Sequence, residues 1–217
     1  MKRVFITIVL LTLAISSFAQ EKDVTKFLGI PVDGTKAEMI AKLKEKGFTS
    51  TVRDKDILEG EFNGRDVEIM IGTNRDKVWR VIVYDKGYYN ESQIKTRFNN
   101  LCKQFLDNPK YKSIDQTIPE DEDISYEMNV HDKEYTALFY QHPKEIEDWY
   151  VNELKNIIEN KRLTEEEKEI KKQELKEQDA SKWEHKIVWV KIIEIYGEYL
   201  IAIYYENELN QANGEDL

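Results

Sequence analysis

Between Ile94 and Leu106 the apolar residues Ile94, Phe98, Leu101, Cys102, Phe105 and Leu106 recur at intervals of four, three, one, three and one, the spacing of a helix with one side on a core. Asn90-Glu91-Ser92-Gln93 opens that helix and Asn108-Pro109 closes it. An earlier helix is marked by Thr35-Lys36-Ala37-Glu38, a capping box in which the threonine takes the N3 amide and Glu38 reaches back. Ala37, Met39, Ile40, Ala41 and Leu43 supply its apolar side and Gly47 stops it. Before it, Phe27 to Val32 reads as an extended entry segment.

From Phe48 the period shortens to two. Ile57 to Phe62, Asp66 to Ile71 and Val78 to Tyr84 read as strands, with Leu58, Phe62, Val67, Ile69, Ile71, Trp79, Val81 and Val83 on one face. Asn63-Gly64 suits a type I′ turn between the first two. Ile124, Tyr126, Met128 and Val130 alternate with polar residues and predict a further strand. His131-Asp132-Lys133 then turns the chain into another from Glu134 to Gln141. Ile187 to Tyr196 and Tyr199 to Glu206 form a closing hairpin around Gly197, apolar on both faces.

The elements fall into two series, a helix then strands from Thr35 to Tyr84 and again from Ser92 to Glu206. This order predicts an α+β fold of two helix-plus-antiparallel-strands units forming a sheet with helices packed on one face. The divisions are residues 1–19, 20–108 and 109–217, the last interrupted by an insertion at 144–184. In Lys144 to Glu184, 22 of 41 residues are charged, and the segment reads as two helices split near Asn160-Lys161-Arg162. Thr164-Glu165-Glu166-Glu167 is a second capping box, and Glu167 with Lys171 makes an i, i+4 pair in the favourable orientation. With only Ile170 and Leu175 as apolar contacts on the second helix, the insertion is expected to project as a charged helical hairpin or to fold back over the open face of the sheet.

The start of the chain changes the picture of where this fold works. Met1-Lys2-Arg3 is a positive n-region, Val4 to Ile15 is apolar apart from Thr7 and Thr12, and Ser17 and Ala19 stand at the −3 and −1 positions of a cleavage site before Gln20. The apolar run is about half the roughly 20 residues a bilayer span takes. These features predict a cleaved signal peptide and a periplasmic or secreted protein with no membrane span after cleavage. Loss of Lys2 and Arg3 takes 32 basic residues to 30 against 42 acidic ones, and the formal charge from −10 to −12. Such a surface repels nucleic acid and anionic lipid. Cys102 is the single cysteine, so no intramolecular disulfide forms, and its place in the helical stripe makes it a buried small hydrophobe.

No catalytic, cofactor or metal constellation is legible. His131, His142 and His185 read as solvated turn and loop residues, none at i, i+4 from another histidine or a cysteine. There is no G-x-S-x-G nucleophile elbow and no phosphate-cradling glycine loop, and the acidic runs at Glu120 to Asp123 and Glu165 to Glu167 lack the order of a calcium loop. Asn90-Glu91-Ser92 matches a glycosylation sequon that a helix start also explains. The aromatic content of the strands and turns is what stands out. A sheet covered on one face buries half of these rings; the others, with a few cations, make a surface of the residue types that dominate protein interfaces. Arg80, Tyr84, Tyr88, Tyr89, Trp189, Lys191, Tyr199 and Tyr205 are the candidate partner-binding residues. The expected role is a non-enzymatic module binding an envelope or extracellular protein. A small ligand or peptide held between the two halves is the second reading, and a hydrolase the third.

The stretch Phe27-Leu-Gly-Ile-Pro-Val-Asp-Gly-Thr-Lys-Ala-Glu-Met-Ile-Ala-Lys-Leu-Lys-Glu-Lys-Gly-Phe48, with Leu58-Glu-Gly-Glu-Phe-Asn-Gly-Arg-Asp-Val67, resembles uncharacterised secreted proteins of Bacteroidota across about Phe27 to Asn108. Its opening, a Gly followed by Thr-x-x-Glu and Leu, is similar to the short helix of the SmpA/OmlA outer-membrane assembly lipoproteins and of β-lactamase inhibitor protein. That likeness implies helix-plus-sheet units that work by binding other proteins, although this chain lacks the lipoprotein cysteine of the first and the paired cysteines of the second. Leu154 to Leu175, centred on Leu163-Thr164-Glu165-Glu166, resembles the two-helix SHOCT module, here internal.

Overall fold

The computed structural model describes residues 23–113, 117–142 and 144–211; the proposed signal segment lies outside the described residues. The protein is α+β, with five α-helices, an eight-stranded antiparallel sheet and a small two-stranded sheet among the described residues. The small sheet comes first: β1 (Lys26–Phe27) turns through Leu28 and Gly29, both at positive φ, into β2 (Ile30–Pro31). In α1 (Lys36–Glu45) both arms of the capping box form, the Glu38 amide donating to Thr35 Oγ1 at 3.3 Å and the Thr35 amide to the Glu38 carboxylate at 2.9 Å.

β3 (Thr49–Ser50), β4 (Leu58–Phe62), β5 (Arg65–Asn74) and β6 (Lys77–Asp85) follow as an antiparallel meander. Asn63 at φ 53° and Gly64 at φ 70° give the β4–β5 turn the two left-handed residues that a I′ turn requires. Gly60 is needed for space, since a Cβ there would sit 2.6 Å from the Phe48 ring. α2 (Glu91–Leu106) is capped by Asn90 and Gln93 in a second reciprocal box and buries Ile94, Phe98, Leu101, Cys102 and Phe105. Leu106 is left exposed.

The remaining elements are β7 (Tyr111–Ser113), α3 (Ile124–His131), β8 (Thr136–Gln141), α4 (Lys144–Glu159), α5 (Glu165–Ser181), β9 (Lys186–Ile195) and β10 (Glu198–Asn207). The charged insertion is a helix pair, α4 against α5. The strand expected at Ile124 to Val130 is instead α3. Asp123 caps it by accepting from the Tyr126 amide at 2.8 Å, and Asp132 at φ 52° closes it in the left-handed region. Ile124 is buried and Met128, one turn on, packs against the core, while Tyr126 and Val130 are exposed.

Across the sheet the strands run β3-β4-β5-β6-β10-β9-β8-β7. The order is symmetric about the β6–β10 seam, where the last strand of each half pairs with the other, Val83 opposite Ile203 and Val81 opposite Tyr205. α1 packs on β5 and β6, and α2 on β7, β9 and β10. Their apolar sides join Val67, Ile69, Val81 and Val83 of the first half and Val188, Val190, Ile192, Ile201 and Ile203 of the second in one core. A buried ion pair crosses the join: the Arg97 guanidinium of α2 donates to Asp85 at the end of β6 at 2.9 and 3.1 Å, and the Tyr89 hydroxyl donates to the same carboxylate at 3.1 Å.

Candidate functional site

The other face of the sheet is treated differently. β6, β8 and β9 alternate between buried core-facing residues and half-buried ones, while β10, between β6 and β9, is buried on both sides. At its centre Arg80 lies opposite Glu206, Ile82 opposite Tyr204 and Tyr84 opposite Ala202; on the next strand Trp189 lies opposite Tyr204 and Lys191 opposite Ala202. Met70, Ile187, Ile193, Leu138 and Tyr140 continue the apolar surface outward on the same alternation.

Trp79 was expected on the core face with Val81 and Val83, and the structure corrects this. A β-bulge between Gly72 and Thr73 shifts the register so that Val78 fills the core, and Trp79 packs over Gly72 beside the Arg80 guanidinium. The guanidinium carbon of Arg80 is 4.0 Å from the Trp79 ring centre, 5.1 Å from that of Tyr204 and 5.8 Å from that of Trp189. Trp189 and Tyr204 pack at 4.7 Å. Glu206 pairs with Arg80 across the strands, so the positive charge is matched while its planar faces are held by rings. Arg80 Nε and Trp189 Nε1 are buried with no hydrogen-bond partner among the described residues. Burial, with Tyr84 beside it, pushes the Tyr204 phenol up to about 12, so it stays protonated across the physiological range.

Of the sequence-derived candidates, Arg80, Tyr84, Trp189 and Lys191 come together on this face. Tyr199 and Tyr205 do not. Both are buried on the core side, Tyr205 against Phe27 and Tyr199 in a two-bond bridge with Tyr89. Tyr89 is committed to Asp85, and Tyr88 is exposed on the connection into α2. Trp79 and Tyr204 are the face residues absent from the candidate set. Gly72, a glycine inside a strand, is the sequence signal for the bulge that brings Trp79 there.

The helix pair is anchored to one side of this centre. Its contacts with the face lie at the β7–β8 flank, where Trp183 meets Tyr140 edge-on at 5.2 Å and donates from Nε1 to Asp179 at 3.1 Å. Lys112 lies 3.7 Å from the same carboxylate. His142, read from the sequence as solvated, is in fact 1% exposed, with Nε2 3.4 Å from Asp179 and its ring against Trp183. No α4 side chain is buried among the described residues, and Val151, Ile158 and Ile170 are exposed on the pair. The opposite flank of the face, on β4 and β5, is acidic: Glu59, Glu61, Asp66 and Glu68, with Lys86 2.8 Å from Glu59.

Burial, then Lys112, holds His142 below the ordinary histidine range against the opposing pull of Asp179 and Glu147. These groups lie on β7, α5 and α4, so protonation of His142 bears on how the helix pair is rooted. The unfolded chain takes the proton first, and the stability present above the unfolded value of about 6.5 is lost as pH falls through the lower folded value. Urea midpoints measured from pH 7.5 to 5 are expected to drop in wild type and to stay flatter over the same window in His142→Gln. Parallel curves would mean that the buried imidazole carries no protonation penalty.

Among the described residues no three His, Cys, Asp or Glu side chains form a metal-holding group, and no helix is long and apolar enough to cross a membrane. No family model, curated protein or solved structure matches the chain.

Proposed function

We propose that this protein is a non-enzymatic, periplasmic or secreted binding module whose aromatic sheet face takes a partner protein with an apolar centre and a basic rim. The observation that carries the reading is the ring-buttressed Arg80 at the middle of the sheet face opposite α1 and α2. The dimensions suit a protein. β5, β6, β9 and β10 run about 30 Å, and with β4 and β8 the face is about 25 Å wide, roughly 750 Å². A standard interface takes about 800 Å² from each partner. The acidic β4–β5 flank sets the sign of the rim, and the chain's own formal charge of −10 works against a second copy in that place. The symmetric strand order supports reading the two halves as related helix-plus-strands units whose seam forms the centre of this face.

Affinity capture from the cell envelope, followed by titration of the captured protein, tests the proposal. Trp189→Ala and Arg80→Glu are each expected to weaken binding by about 2 kcal/mol or more, roughly 30-fold in Kd. Lys42→Glu, on the exposed side of α1, is expected to leave it unchanged. Equal affinity for all variants, or a partner that cross-links to α1 and not to a photoreactive residue at Ile82, would overturn the assignment.

A further inference from the structure

On the helix side, away from the aromatic face, a cleft of about 920 Å³ opens between the β1–β2 hairpin and the last turns of α2. It lies at the upper end of the range of small-molecule sites, about 300–1,000 Å³. Its apolar lining comes from Phe62, Leu101, Phe105 and Tyr205. The polar groups of the floor are already used. The Tyr205 hydroxyl bonds to Tyr111, Gln141 Nε2 reaches the Tyr111 hydroxyl at 3.4 Å and the Lys26 carbonyl at 2.6 Å, and Gln141 Oε1 accepts from the Lys26 amide at 2.7 Å. Gln141 thereby occupies both backbone groups of Lys26 that an added peptide strand would need, so strand addition is closed and the floor offers apolar surface.

The ends of the cleft differ in charge. Where β7 begins and α4 starts, Lys110 and Lys144 are exposed with no ion-pair partner among the described residues, and Glu145 lies with them. The neighbouring Lys186 is 1% exposed and held by Asp23 at 2.5 Å, so it adds a buried, neutralised wall. At the far end Glu61 and Asn63 line the opening, and the Asn63 amide donates to Gln104 at 2.7 Å. An open cleft whose apolar floor ends at two exposed ammonium groups has a polarity matched by an anionic amphiphile, held by local pairing against the repulsion of a chain of formal charge −10.

We infer that this cleft binds a single-chain amphiphile, its apolar chain against Phe62, Leu101 and Phe105 and its anionic head at Lys110 and Lys144. The head group can belong to a free fatty carboxylate or to a single-chain lysophospholipid. Calorimetric titration of the purified protein with monomeric dodecanoate tests the site directly. One-to-one binding is expected, weakened at least tenfold in Lys110→Gln/Lys144→Gln and blocked in Gln104→Trp, which places an indole at the cleft wall from an exposed position. Dodecyltrimethylammonium, with the same chain and the opposite charge, is expected not to bind. Titration with monomeric lysophosphatidylglycerol separates the sources: tighter binding of dodecanoate marks a free carboxylate, and tighter binding of the lysophospholipid, displaced by dodecanoate, marks a phosphate head. No heat from dodecanoate with a folded protein, or equal affinity in all variants, would each overturn the inference.

Discussion

Asp85→Ala is expected to destabilise the protein by about 3–5 kcal/mol, because it leaves the Arg97 guanidinium buried without its counter-charge. The pair is among the most enclosed on the molecule, with side chains 8% and 2% exposed for Arg97 and Asp85. It lies where the two halves meet, since Asp85 ends β6 and Arg97 projects from α2, which packs on β7, β9 and β10. Tyr89, bonded through its backbone to Tyr199 and through its hydroxyl to Asp85, closes the same junction. For a chain of this length the loss corresponds to a fall of roughly 6–20 °C in Tm, read by calorimetry. The reciprocal change Arg97→Met, combined with Asp85→Leu, is expected to recover much of it, because burying neither charge avoids the desolvation that the native pair must offset. A double variant as unstable as Asp85→Ala would place the cost in lost shape at the seam and not in the unpaired charge.

How far such junctions are legible in the sequence depends on the range of the interaction that makes them. The capping boxes at Thr35 and Thr164, the helix start at Asn90 and the Asn63-Gly64 turn are closed within a few residues, and each is read correctly from local chemistry. α3 is misread because Ile124, Tyr126, Met128 and Val130 satisfy a period of two, while Ile124 and Met128 alone, one turn apart, satisfy the helix. Asp123 and the left-handed Asp132 decide between them. Tyr199 and Tyr205 are assigned to the wrong face for a different reason. β10 is buried on both sides, and a strand without a wet face carries no phase from which to tell inward from outward. His142 is beyond local reading, since the aspartate that faces it is 37 residues further on, on a helix whose docking the charge pattern does not specify.

The candidate face shows the same division. Arg80, Tyr84, Trp189 and Lys191 share one face, as the alternation on β6 and β9 implies. Trp79 is lost to a one-residue slip at Gly72, and the platform around the guanidinium emerges only when that slip places the indole on the same side as Tyr204. The bulge thus re-aims the Trp79 indole toward the Arg80 guanidinium.

Phe27→Ala is expected to have the second large effect, about 3–5 kcal/mol for removing a fully buried aromatic. Its ring lies 4.8 Å from Tyr205, 5.3 Å from Phe62 and 6.5 Å from Phe48, so it links the N-terminal hairpin to both halves of the sheet. The hairpin has only two residues in each strand and no independent stability to fall back on. What else holds it is polar: the Thr25 hydroxyl donates to the Glu206 carbonyl, the Val32 amide to Thr25 at 2.8 Å, and Asn207 to the Val32 carbonyl at 2.8 Å. Two outcomes therefore compete once the ring is gone. If the hairpin belongs to the cooperative unit, urea unfolding shows the full loss with an unchanged slope, and amide exchange at Val32 rises in step with the core. If it detaches locally, the midpoint falls by less than the equivalent of about 1 kcal/mol while exchange at Val32 rises alone. The geometry favours the first, because Tyr205 and Phe62 each lose the face that Phe27 packs against, and those two rings lie on strands on either side of the β6–β10 seam.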